Sequence, residues 1–296
     1  MSQTTSSSAA RPYGLSFTSR VLEIPRSTVY AVRARATTTP PPPGKRGPKT
    51  AWTDAEVTER IGEVLAKSPF LGEGYRKVWA RLRHEGIRVG KARVLRLMRE
   101  ANLLSPTRTG RLQEAKTHEG TIVTERPDEM WGTDATSCHT GEGVATIFFA
   151  VDHCTAECIG IHAARRGTRF EALEPIRQGI RELYPAYAEG VAAGLALRHD
   201  HGSQYMSDHF QGELRFLGIE SSPAFVREPE GNGCAERFVR TLKEQLLWLE
   251  HFATVEELLA ALHAFRDRYN REWLIQRHGH RTPAAVRLAL TQAVAA

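Results

Sequence analysis

The chain has 296 residues, 41% of them hydrophobic, with 40 Lys and Arg against 34 Asp and Glu. That length suits two to three modest domains. No run of about 18 apolar residues is present, which excludes a membrane-spanning helix, and the start "MSQTTSSSAARPYG" lacks the apolar core of a secretory signal. Four cysteines (Cys138, Cys154, Cys158 and Cys234) are too few for a disulfide framework in so long a chain, so a reducing cytoplasm is expected. The net charge of +6 is unevenly spread: residues 1–120 carry +12 and residues 121–296 carry −6. A basic first part predicts a polyanionic partner, most simply double-stranded DNA.

In chain order, residues 1–36 read as a partial helix-turn-helix region. Val21, Leu22, Ile24, Val29 and Val32 suggest two short helices, and Pro25 is well placed to start the second. Residues 37–50, "TTTPPPPGKRGPKT", are a basic linker whose four consecutive prolines favour an extended spacer. Residues 51–110 read as a helical, helix-turn-helix-like DNA-binding domain. Thr53 or Asp54 can cap a helix carrying Val57, Ile61, Val64 and Leu65 at helical spacing. A helix with Val78, Trp79 and Leu82 inward follows. The turn "EGIRVG" then leads to "KARVLRLMREANLL", which would display Lys91, Arg93, Arg96 and Arg99 to DNA.

From about residue 122 the pattern changes to strands mixed with helices. "EMWGTDATS", "GVATIFFAVDH" and "AECIGIHAA" read as three strands. A helix with Pro175 in its interior, the strand "GLALRHD", the helix "SDHFQGELRFLG" and the short strand "IESSPA" follow. Long helices close the chain, the first of them "GCAERFVRTLKEQLLWLEHF". Such an order predicts an α/β core over 122–250 with a mixed central sheet, and a helical tail over 251–296.

Three acids stand out. Asp134 interrupts the first strand, Asp200 ends the fourth, and Glu236 lies near the start of a long helix. Asp134 and Asp200 are 66 positions apart, and 35 residues separate Asp200 from Glu236. Attack on a phosphodiester needs charge neutralised on both entering and leaving oxygens, which two divalent ions about 3.5–4 Å apart supply. Hard ions such as Mg²⁺ take oxygen ligands, so a few carboxylates plus a substrate phosphate suffice. At helical spacing, Glu236, Arg240 and Lys243 share one face, where the two cations suit a DNA phosphate path. Gln204 and Tyr205, in "HGSQY" just after Asp200, are further candidates for holding DNA near the metal.

The Asp–Asp–Glu set, its last gap of 35 residues, "HGSQY", and the tail motif "YNREW…HRTPAAV" resemble the DDE transposases encoded by the second reading frame of bacterial two-frame insertion sequences. The resemblance covers nearly the whole chain. It implies a ribonuclease-H-like, retroviral-integrase-like core: a mixed five-stranded sheet flanked by helices, preceded by all-α helix-turn-helix regions. It further implies DNA end cleavage and strand transfer with two Mg²⁺ ions, Mn²⁺ being a substitute. Asp134 would bridge the ions, Asp200 would serve one and Glu236 the other. Asn232, four positions before Glu236, matches the family, whereas Gly231 stands where Asp is usual and "WLIQRHGH" replaces the usual Arg-Pro-His. A homo-oligomer on paired element ends, a nucleoid location and a first-reading-frame partner protein are also implied. Competing readings are a nuclease that cuts without joining and a DNA-binding regulator or inactive remnant. A zinc site from Cys138, His139, His153, Cys154 and Cys158 lacks a Cys-x-x-Cys pair, and a Ser203–His199–Asp200 hydrolase lacks a nucleophile elbow.

Overall fold

The computed structural model describes residues 3–37, 51–106, 122, 124–224 and 232–295. All but the first residue of the linker read at 37–50 lies outside them, as does Gly231. Residues up to Ala51 form one unit and Trp52–Ala296 another.

In the first unit, α1 (Gly14–Val21) and α2 (Arg26–Thr37) flank Pro25 as the sequence predicts. Arg26 reaches back to donate to Ser16 Oγ at 3.2 Å. Val21, Leu22, Ile24 and Val32 all remain exposed, so the pair of helices buries almost none of the apolar set that marked it.

The second unit begins with three helices: α3 (Asp54–Lys67), α4 (Tyr75–His84) and α5 (Lys91–Glu100). A capping box starts α3. The Thr53 hydroxyl accepts from the Glu56 amide, and the Glu56 carboxylate accepts from the Thr53 amide at 2.7 Å. Val57, Ile61, Val64, Val78, Leu82, Val94 and Met98 form the core among the three helices. Each such side chain contributes roughly 1.5–3 kcal/mol by leaving water. The domain does not stand alone. Phe70 packs edge-on against Trp273, Gln245 exchanges two hydrogen bonds with the Leu71 backbone, and Arg81 donates to the Glu272 carbonyl.

The sheet contains β1 (Met130–Thr140), β2 (Gly143–Asp152), β3 (Cys158–Ala164), β4 (Ala196–His199) and β5 (Glu220–Pro223), in spatial order β3-β2-β1-β4-β5. The first three strands are antiparallel; β4 and β5 run parallel to β1. This is the mixed five-stranded sheet the sequence implies. Its parallel connections run through α6 (Arg169–Leu183) and α7 (Asp208–Leu217). The apolar run in β2 is buried on both faces because side chains alternate. Ile147, Phe149 and Val151 meet α8 (Gly233–Leu242) and α9 (Val255–Glu272), while Phe148 and Ala150 meet α6 and α7. Gly160 lets α6 lie close on β3: a Cβ there would stand 2.1 Å from the Pro175 carbonyl oxygen.

Two expectations need correction. The helix read over 233–252 stops as an α-helix at Leu242 and continues as one π-helical turn, Lys243–Leu247. The boundary read at residue 250 also divides a packed body. Leu258, Leu262, Phe265 and Tyr269 of α9 fill the same core as β2 and α8. The closing helix α10 (Pro283–Ala295) sends Arg287 into a cluster with Asp128, Asp152 and Glu157.

Candidate active site

The pairing register brings Asp134 and Asp200 together. Strand β4 pairs with β1 at a constant offset, Met130 with Ala196 through Gly132 with Arg198. That offset is 66 residues, the same as the separation of the two aspartates. The pairing ends at Gly132 and Arg198, and Asp200 follows the last residue of β4, near enough for its charge to act on Asp134. Along β1, Trp131 and Ala135 pack toward α6 and α7, whereas Cys138 packs toward α8 and α9. By the two-residue period, Gly132 and Asp134 face α8, the helix that carries Glu236 in its first turn.

The Asp134 carboxylate is half-buried and accepts from the Ala135 amide at 2.8 Å. Burial raises its pKa above the ordinary carboxylate range. Asp200 and Glu236 push it further up by like-charge repulsion, while Lys243 pulls it down. Desolvation also raises Glu236, against the pull of Arg240. Asp200 Oδ1 accepts from the Gly202 amide at 2.8 Å, an Asx-type turn that fixes the strand end. Among the described residues, no three His, Cys, Asp or Glu side chains stand close enough to clasp one metal ion. The three acids therefore act on one another electrostatically without forming a three-ligand cage. The repulsion on Asp134 is the kind of charge a divalent cation relieves.

The other candidates separate. Lys243 and Arg240 exert their fields on Asp134 and Glu236, and Gln204 is half-buried in the turn after Asp200. Tyr205 is a correction. It is fully buried, stacked on His199 and edge-on to Phe210, so it belongs to the core and presents nothing to DNA. His199 is buried too, its ring bonded to the Asp200 carbonyl and Ser221 Oγ, while His201 is exposed. Asn232 points inward as well, donating to the Thr133 carbonyl at 2.9 Å.

On α5 part of the expected basic face is already paired with acids. Asp54 binds Arg93 at 2.6 Å and Arg96 at 2.7 Å; Arg96 also meets Glu100, and Lys91 lies over the Trp79 ring. The two contacts with Asp54 come from the start of α3, about 40 positions away, which no local pattern in α5 reveals.

The sequence reading also missed the buried placement of His153. Its buried Nε2 and the buried Oδ1 of Asn232 each stand 2.6 Å from the point a Cβ on Gly132 would occupy, and Arg277 donates to the His153 carbonyl at 2.7 Å. Burial lowers the His153 pKa to about 4, so the ring is neutral near pH 7. The one signal was "HCTAEC" directly after β2, which reads as a loose thiol–imidazole cluster; all four cysteines are free.

Comparison with known proteins gives two family matches: an HTH-like domain at residues 52–111 and an integrase core domain at residues 217–283. The transposase InsD for insertion element IS2A/D/F/H/I/K of Escherichia coli is 28% identical over 246 residues, covering 80% of this chain and 79% of the relative. Among solved structures, the catalytic core domain of BIV integrase aligns at 22% identity and a TM-score of 0.42, over 57% of this chain and 99% of that one. The HTLV-2 integrase catalytic core domain in complex with magnesium aligns at 15% identity and a TM-score of 0.39, over 55% and 97%. The chain thus matches an HTH-like domain followed by an integrase core domain and is similar along four-fifths of its length to the transposase of an insertion element.

Proposed function

We propose that this protein is the catalytic subunit of a DNA transposition reaction, cleaving the ends of an insertion sequence and joining them to target DNA. The observation that supports the reading is the β1–β4 offset of 66 residues, equal to the separation of Asp134 and Asp200, with the charges of Asp200 and of Glu236 on α8 both acting on Asp134. Asp134, Asp200 and Glu236 would hold two divalent ions, Mg²⁺ or Mn²⁺, with Asp134 shared. When bound, the ions would neutralise charge on the entering and leaving phosphate oxygens and lower the pKa of an attacking water.

The chain's own residues do the rest. The sheet carries Asp134 on β1 and Asp200 just past the end of β4, and α8 carries Glu236 in its first turn. Lys243 and Arg240 offer positive charge to a DNA phosphate beside the acids. The first chemical step is hydrolysis: the P–O3′ bond at the element end breaks, leaving a 3′-hydroxyl and a 5′-phosphate on the flank. In the second, that 3′-hydroxyl bonds to a target phosphorus and a target 3′-oxygen leaves, so no covalent enzyme intermediate is needed. The HTH-like domain would hold the element's terminal repeats through Lys91, Arg93 and Arg96, with Gln204 near the reacting strand. The work would be done on DNA in the cytoplasm, by a homo-oligomer on paired ends and with a first-reading-frame partner.

Incubating the full chain with Mg²⁺ and DNA carrying the terminal repeats and flanks tests this. The expected products are 3′-hydroxyl ends and strand-joined species. Nicking without joining would make the protein a nuclease, and a mobility shift with no metal-dependent cleavage would make it a regulator.

A further inference from the structure

Between β2 and α8 lies a buried polar contact that touches none of the three acids. His153, immediately after β2, is 7% exposed. Its Nε2 and the Asn232 Oδ1 are both shut off from solvent, and neither has a hydrogen-bond partner. Both atoms stand 2.6 Å from the point a Cβ on Gly132 would occupy. The other end of the Asn232 amide donates to the Thr133 carbonyl, and Arg277 holds the His153 carbonyl. A neutral imidazole protonated on Nε2 would donate to Asn232 Oδ1 and satisfy both buried atoms.

The location gives this contact its purpose. Asn232 stands at the N-cap position of α8 without a side-chain capping bond, and Glu236 lies one helical turn later. Thr133 is the neighbour of Asp134 in β1. The amide of Asn232 therefore ties the first turn of the Glu236 helix to the strand of Asp134. Only a residue without a Cβ at position 132 leaves room for the tie. We propose that His153, acting through Asn232 over Gly132, is a positioning residue that sets Glu236 against Asp134 for divalent-cation binding. This rests on the carboxylate site proposed above.

The contact works at one remove from the ligands. Loss of such an outer hydrogen bond typically costs about 10–100-fold in metal affinity or activity. The test is Mn²⁺ binding to the full chain without DNA, followed by electron paramagnetic resonance, alongside end cleavage at varied Mg²⁺. His153→Leu keeps the bulk and removes the donor; His153→Gln returns an N–H. We expect Mn²⁺ affinity to fall about tenfold or more in His153→Leu and to recover substantially in His153→Gln. The Mg²⁺ concentration for half-maximal cleavage should move in parallel, with DNA affinity unchanged. Gly132→Ala, which pushes the pair apart, should match His153→Leu and serves if that variant fails to fold. Wild-type Mn²⁺ affinity in folded His153→Leu overturns the proposal, as does a His153→Gln variant no better than His153→Leu. Glu236→Gln is the control. If it leaves Mn²⁺ binding intact, the carboxylate site itself fails and this proposal with it; if it weakens binding while His153→Leu does not, this proposal fails alone.

Discussion

Arg287→Met should unfold the protein early, and by an amount that depends on pH. Arg287 lies in α10, is 12% exposed in its side chain, and binds Asp128 at 2.6 Å, Glu157 closely, and Asp152 at 4.0 Å. Asp152 is fully buried, and its carboxylate also accepts from the Thr155 amide and hydroxyl and from the Asp128 amide. Methionine keeps most of the volume but leaves these acids without their cation. Removing one partner of a buried ion pair costs about 3–5 kcal/mol. For a unit of this size each kcal/mol moves Tm by about 2–4 °C, so a fall of roughly 6–20 °C is expected. Burial already raises the pKa values of Asp152 and Glu157; Arg287 is the main pull downward on Glu157 and adds to that of the Thr155 and Asp128 amides on Asp152. Acids whose folded pKa exceeds the unfolded value oppose folding once ionised, fully above the folded pKa and not at all below the unfolded one. The loss in Arg287→Met should therefore be largest near pH 7 and shrink as pH falls toward the ordinary carboxylate values of about 4. Urea unfolding of wild type and variant at several pH values measures it. A loss below about 1 kcal/mol at pH 7, or a loss that grows on acidification, would refute the reasoning.

Two further outcomes follow from the reassigned residues. Tyr205→Ala should cost about 3–5 kcal/mol in urea unfolding, as an aromatic core truncation does, and leave DNA affinity per folded molecule unchanged; a selective loss of DNA affinity would restore it as a DNA contact. Asp54→Asn should release Arg93 and Arg96 toward phosphates, raising DNA affinity and steepening the log–log salt slope by up to about 2. Fluorescence anisotropy across a salt series reads both quantities, and an unchanged slope would mean that α5 does not meet the backbone.

What could be read in advance, and what could not, follows from the range of the forces involved. The sheet was legible because alternation and apolar runs are local. Asp134 and Asp200 were legible as strand-borne acids, and only the register shows that their separation equals the β1–β4 offset. Tyr205 was misjudged because the polar run "HGSQY" looks like an exposed loop, whereas the turn folds its fifth residue back between His199 and Phe210. The positive charge of α5 was visible, but Asp54 opposite it was not. Nothing in "TLKEQLLWLEH" marks the π-turn that starts at Lys243. The His153–Asn232 contact joins residues 79 positions apart and has no periodic signature.

The central claim is that Asp134, Asp200 and Glu236 bind the ions that drive DNA cleavage. Asp200→Cys tests it most directly, since a thiolate suits Mg²⁺ poorly and accepts softer ions better. End cleavage should be abolished in Asp200→Asn with either ion. In Asp200→Cys it should be lost in Mg²⁺ and substantially restored in Mn²⁺, with DNA binding intact throughout. Cleavage that survives Asp200→Asn in Mg²⁺ would contradict the account.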